Sequence, residues 1–261
     1  LQSRDILRPL ERVRITVEIA VERKPHFSDD LASRRVKAIK IERLLDLGGL
    51  DHPVRMLEVG TGSGGIANYF GTHPKIRAEV DAVDVHDNRV VTDGYRFRQV
   101  TDTTLPYGDR AFDIVISNHV IEHVGDRAAQ MRHLAELRRV LAADGVGYLA
   151  VPNRWMVVEP HFRVAFLSWL PRSLRSRYLQ VLGKGSFYDC EPLMQRELER
   201  MLDESALDAD NIGFDALRAT VELESDSGFV ARFLAKLPDA ALAPLSGIVP
   251  TLIYRFRHRA P

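Results

Sequence analysis

Leu57-Glu58-Val59-Gly60-Thr61-Gly62-Ser63-Gly64-Gly65 is the stretch on which the reading of this chain turns. An apolar run over 54–59 leads into it and a helical pattern leads out, so the glycines occupy a tight strand-to-helix turn. Glycine tolerates positive φ there and lets a ligand approach the backbone closely. Two spacings are superposed. Gly60, Gly62 and Gly65 fit G-x-G-x-x-G, whereas Glu58, Gly60, Gly62 and Gly64 fit E-x-G-x-G-x-G. Either alone is also compatible with a turn that only packs a helix on a sheet. Outward from the loop, runs of strand length recur at 80–85, 112–117 and 146–151. Between them, 127–143 places Met131, Leu134, Leu137 and Leu141 at helical spacing and stops at Asp144-Gly145. Short buried strands alternating with helices predict an α/β fold with a doubly wound, mostly parallel sheet.

Ligands of such sheets bind beyond the carboxyl ends of the strands. Asp84 ends the second run, where a carboxylate can accept from both hydroxyls of a ribose. That fits a nicotinamide dinucleotide as well as other nucleosides. The third signal separates them: Val100-Thr101-Asp102-Thr103-Thr104-Leu105-Pro106-Tyr107, then Phe112-Asp113-Ile114-Val115. With Ser117-Asn118-His119-Val120-Ile121-Glu122-His123-Val124 and Leu137-Arg138-Arg139-Val140-Leu141 in the same order, residues 54–152 resemble the class I S-adenosylmethionine (SAM) methyltransferases. The resemblance implies a seven-stranded Rossmann-like sheet with a reversed final hairpin. It also implies SAM as cofactor and S-adenosylhomocysteine as product. Glu58, Gly60, Thr61, Gly62 and Gly64 would wrap the methionine end, Asp84 and Val85 would meet the ribose, and Asp102 and Thr103 the adenine. Asn118 and His119 would complete the cofactor site.

Around this core, 3–21 and 28–47 read as helices, and 191–207 and 230–242 as amphipathic helical stretches. Residues 214–223 read as a strand, and the alternation over 251–257 suits a last strand. The expected organisation is an N-terminal helical segment over 1–50, the SAM-binding core over 51–152, and a helical lid over 153–210 after the fifth strand. A C-terminal part over 211–261 completes the sheet. Lys plus Arg and Asp plus Glu number 36 each, which removes the broad positive field that a nucleic-acid binder needs. Cys190 is the only cysteine, so an internal disulfide and a multi-cysteine metal site are excluded. The first twenty-five residues are rich in Arg and Glu, unlike a signal peptide, and the expected compartment is the cytoplasm or the inner face of its membrane.

His119, Glu122 and His123 also spell H-x-x-E-H, an inverted zinc-protease motif. Gly125-Asp126 interrupts the long helix that motif needs, and no metal is expected. A hydroxyl acceptor requires proton removal, for which histidine is the best-matched side chain. His119, just past the fourth strand, and His161, beside Glu159, are the candidate catalytic bases. His123 is expected to line the pocket, and Glu122 to face elsewhere on a helix. His123, Arg154, Trp155, Glu159 and His161 form the candidate acceptor site. The segment around 152–163 also resembles methyltransferases of bacterial surface-polysaccharide gene clusters, which implies a sugar hydroxyl on a nucleotide-, lipid- or polymer-linked glycan. A small aromatic or isoprenoid acceptor, an NAD-dependent oxidoreductase and a SAM-binding protein without catalysis are the alternatives. Tyr-x-x-x-Lys, the short-chain dehydrogenase pair, occurs nowhere in the chain. A Pro-Pro-aromatic run is absent after the fourth strand, which weighs against nucleic-acid or protein amino groups as acceptor. The lid mixes Trp155, Trp169 and Tyr178 with five arginines, suited either to phosphate and sugar rings or to a membrane surface through 162–182.

Overall fold

The computed structural model describes residues 30–159, 162–188, 190–224 and 227–259. The expected helix over 3–21 and the candidate base His161 lie outside the described residues. Seven strands form one sheet in the order β3-β2-β1-β4-β5-β9-β8. They are β1 (Val54–Val59), β2 (Ala78–Asp84), β3 (Tyr95–Gln99), β4 (Phe112–Asn118), β5 (Leu141–Pro152), β8 (Leu207–Asn211) and β9 (Thr251–His258). The first five pair in parallel, and β9 runs antiparallel to both β5 and β8. This is the mostly parallel Rossmann-like sheet with the reversed last hairpin.

Side chains of a strand alternate between the faces of its sheet, and the core is split accordingly. Met56, Ile114 and Ile116 point into a cluster with Ile41 of α1 (Leu31–Leu44) and Phe70 of α2 (Gly65–Gly71). Leu57 and Val115, one residue out of step, point into a second cluster. That cluster holds Leu134 and Leu137 of α3 (Arg127–Val140) and Leu198 and Met201 of α5 (Gln195–Glu204). Asp30 caps α1 through Ala32 N and Ser33 N, and Asp126 caps α3 through Ala129 N.

Four expectations need correction. Residues 214–223 are not a strand but helix α6 (Gly213–Leu223), whose buried Ala216 and Ala219 stand one turn apart. The missing sheet positions are filled by β3 and β8, which sit at the two edges and carry mostly exposed or half-exposed residues. The lid is also not purely helical. It combines a short hairpin, β6 (Val158–Glu159) with β7 (Val164–Ala165), and one helix, α4 (Arg172–Val181). Helix α5, expected at the lid's far end, belongs to the core because Leu198, Met201 and Leu202 are buried against the sheet. The 230–242 stretch splits into α7 (Phe229–Leu234) and α8 (Asp239–Leu242). Among the described residues no helix is long and apolar enough to cross a membrane.

Candidate active site

The site lies where β1, β2 and β4 end side by side. Gly60, Gly62 and Gly64 all adopt positive φ, at 80°, 53° and 82°, as the glycine turn requires. A Cβ on Gly60 would stand 2.2 Å from Val120 Cγ2, so the loop packs directly on the segment that follows β4. Gly60 N and Thr61 N both donate to Val83 O, and Thr61 Oγ1 reaches the same carbonyl at 3.4 Å. Thr61 therefore fixes the loop to β2 through its buried side chain. Asp84 Oδ2 accepts from Gly62 N at 2.8 Å and Oδ1 from His86 N at 3.2 Å. The acid at the second strand's end thus meets the glycine loop.

Glu58 is buried beneath the turn and accepts from Ala67 N of α2 at 3.0 Å. Burial pushes its carboxyl up to about 8, against the opposing pull of Arg34 and of that amide. The folded chain therefore keeps a proton that the unfolded chain releases from about pH 4.5 upward. Stability should fall as pH rises from 4.5 through 8. Glu58→Gln preserves the shape and the bond to Ala67 N and removes this dependence. Its urea midpoint should exceed the parent's by a larger margin at pH 8 than at pH 5.5; equal margins would disprove the linkage.

Val85 is exposed, and its carbonyl accepts from Gln99 Nε2 at 2.9 Å. Asp102 Oδ1 accepts from Thr104 N at 2.7 Å, which holds its carboxyl below the usual range and turns the chain there. Thr103, half-buried, sits in that turn. The loop is anchored from α3: Leu105 N donates to Glu136 Oε2, and Arg139 donates to the carbonyls of Leu105 and Tyr107.

Past β4 the structure departs from the expected helix. His119 has φ 59°, and Ile121–His123 form a single 3-10 turn. A non-glycine residue in the left-handed region marks a locally strained position, of the kind that clusters at functional sites. Glu122 does not face elsewhere. It is fully buried, with Oε1 3.4 Å from His119 Nδ1 and 3.9 Å from His123 Nε2. Burial opposes its ionisation, but the two imidazoles beside it prevail and hold the carboxyl below its usual range. His133 lies beneath, its Nε2 3.0 Å from Ser117 Oγ, and burial depresses the imidazole to about 4.

Asn118 Nδ2 at the end of β4 and Ser63 Oγ in the glycine turn are among the buried polar atoms with no hydrogen-bond partner among the described residues, as are both Glu122 carboxylate oxygens. Buried amides and hydroxyls are ordinarily satisfied, so these open groups, with the positive-φ turn, fit a polar ligand over the strand ends. Arg34 was not foreseen. A Cβ on Gly65 would meet Arg34 Cβ at 2.7 Å, which sets α1 against the opening of α2, and Arg34 Nε is buried with no partner among the described residues. Nothing in the residues near Arg34 resembled a motif, because its place depends on how α1 packs.

The lid reaches the same turn. Glu191 N donates to Glu122 O at 2.9 Å, and Cys190 Sγ lies 3.9 Å from His123 Nδ1. Of the proposed acceptor residues, His123 is thereby brought beside Glu122. The Arg154 guanidinium lies 5.9 Å from the ring of the half-exposed Trp155. Glu159 is buried and accepts from Phe162 N at 2.8 Å, tying off the turn of the hairpin.

Comparison with known proteins finds methyltransferases. The methyltransferase-domain family matches residues 57–149. The glycine/sarcosine/dimethylglycine N-methyltransferase of Actinopolyspora halophila is 28% identical over 139 residues, 49% of this chain and 23% of that protein. The match thus spans less than a quarter of that relative's length. A Galdieria sulphuraria structure described as a sarcosine dimethylglycine methyltransferase superposes with a TM-score of 0.52 at 15% identity, covering 87% of both chains. Haemonchus contortus phosphoethanolamine N-methyltransferase 2, in complex with S-adenosylhomocysteine, gives 0.51 at 14% identity, over 85% of this chain and 52% of that one. The oxidoreductase alternative has no support in these matches. Residues 57–149 thus match the methyltransferase-domain family, and the seven-stranded Rossmann-like fold around them is that of the superposed structures.

Proposed function

We propose that the protein is a SAM-dependent methyltransferase that O-methylates a sugar hydroxyl on a nucleotide-, lipid- or polymer-linked glycan. The observation that carries this reading is the pairing of His119 with the buried Glu122 at the end of β4, beside the glycine turn. The bound cofactor supplies an electrophilic methyl group on its sulfonium sulfur. Asp84 suits its ribose and Asp102 its adenine, while Asn118 and Arg34 bring open donors to the same strand ends. His119 would take the proton that the acceptor hydroxyl gives up on methylation. Glu122 fixes the orientation of that imidazole and stabilises its cationic form. Positioning the hydroxyl in line with the methyl supplies much of the rest, about 7–11 kcal/mol in well-oriented reactions.

A second reading has its own support. The named relatives act on amines, and a carboxylate set between two imidazoles also suits an ammonium group. Transfer of labelled methyl from SAM to a panel of nucleotide sugars, lipid-linked glycan fragments, phenols, sarcosine and phosphoethanolamine separates the two. Base-stable O-methyl sugar is the expected product. Methylation of the amines alone would overturn the glycan assignment.

A further inference from the structure

We propose that the lid is a docking surface for an anionic lipid bilayer, an assignment that stands independently of the acceptor's identity. Helix α4 carries two stripes. Arg175 and Leu179 are buried, whereas Leu174, Arg177, Tyr178 and Val181, spaced i, i+3, i+4 and i+7, form a separate face. Leu174 is 45% exposed and Val181 83%. The outer face of α4 thus sets two large apolar side chains, Leu174 and Val181, in the open beside Arg177, while Tyr178 is half-buried against the lid's own cluster.

Next to it stands an exposed aromatic cluster. Trp155, Phe166 and Trp169 are 37%, 48% and 39% exposed. Trp169 meets the other two edge-on, with centroids 5.4 and 5.1 Å away, and its Nε1 donates to Met156 O at 2.9 Å. These rings are held in place while presenting apolar area, the arrangement of amphipathic aromatics at a membrane–water interface.

Charge identifies the occupant. Residues 162–188 contain five Lys or Arg and no Asp or Glu, in a chain whose formal charges sum to zero. Arg163, Arg177 and Lys184 form no ion pair among the described residues, whereas Arg172 is taken by Glu191 at 2.8 Å. Apolar side chains flanked by unpaired cations match the headgroups and acyl boundary of a bilayer bearing acidic lipids. A second copy of the chain fits poorly, since the same face would oppose cation to cation. Because Glu191 and Cys190 join the lid to Glu122 and His123, docking would bring the candidate acceptor site to the lipid surface.

The test is co-sedimentation of the full chain with vesicles of phosphatidylcholine alone or mixed with phosphatidylglycerol, at low and high salt. Three unpaired cations predict binding to the acidic vesicles about tenfold or more above the neutral ones, weakening as salt rises. Arg177→Glu combined with Val181→Glu should abolish sedimentation while S-adenosylhomocysteine binding stays unchanged. No binding to acidic vesicles, equal binding to both compositions, or undiminished binding by the double variant would each overturn the assignment. So would a dimer in solution that the double variant dissolves, since that gives the face to a second copy. The wild-type comparison of compositions and salts decides the matter even if the variant fails to fold. Absence of vesicle binding by the parent chain, with its methyl transfer intact, would reject the docking surface alone.

Discussion

Asp84→Ala should lower the affinity for S-adenosylhomocysteine by about 100-fold or more. A carboxylate that accepts two hydrogen bonds from a ribose contributes about 1.5–3 kcal/mol for each charge-assisted bond. Alanine removes both, and the loss does not stop at the ligand. Asp84 Oδ2 also accepts from Gly62 N, so the variant releases a point at which the glycine turn is held against β2. Asp84→Asn keeps one acceptor and should fall between parent and alanine variant. Calorimetric titration reads all three. Affinity within about threefold of the parent for Asp84→Ala would refute the ribose assignment.

His119→Ala should reduce methyl transfer by about 10²–10⁴-fold, the range that a positioned general base contributes. Cofactor affinity should fall far less than with Asp84→Ala, because the Gly62–Asp84 contact is untouched. Part of the lost rate should return at alkaline pH, where a hydroxyl acceptor ionises more readily without help. Glu122→Gln keeps the shape but not the charge, and should cost turnover less than His119→Ala while altering the pH profile. Single-turnover rates across pH give both comparisons. Full turnover by His119→Ala at neutral pH would remove it as the base and leave positioning as the sole contribution of that turn.

The parts of this molecule legible in its sequence are those buried on both sides. β1, β2, β4 and β5 are covered by helices on each face, so their residues form continuous apolar runs. The glycine turn and Asp84 were legible for a related reason: close approach to a ligand restricts which residues can stand there. Edge strands carry no such mark. Tyr95-Arg96-Phe97-Arg98-Gln99 and Leu207-Asp208-Ala209-Asp210-Asn211 are set by backbone pairing to one neighbour and keep charged side chains outward. Helix α6 was misread because Thr220-Val221 suggests a strand, while the Ala216–Ala219 spacing that decides for a helix is a weak signal. Glu122 was misplaced because a regular helix was assumed. The left-handed His119 and the 3-10 turn after it redirect the carboxylate inward, and no local spacing rule anticipates that.

The position of β9 bears on how the protein is made. This strand follows all the others in sequence, yet it lies between β5 and β8, with Leu252, Tyr254 and Phe256 buried in the core. A ribosome delivers the cofactor-binding half long before it delivers Thr251–His258. Until then β5 has an open edge, and β8 has no strand with which to pair. Closure of the sheet must therefore await synthesis of Thr251–His258. A message cut short before Thr251 would yield a nascent protein with its glycine turn complete and two sticky strand margins.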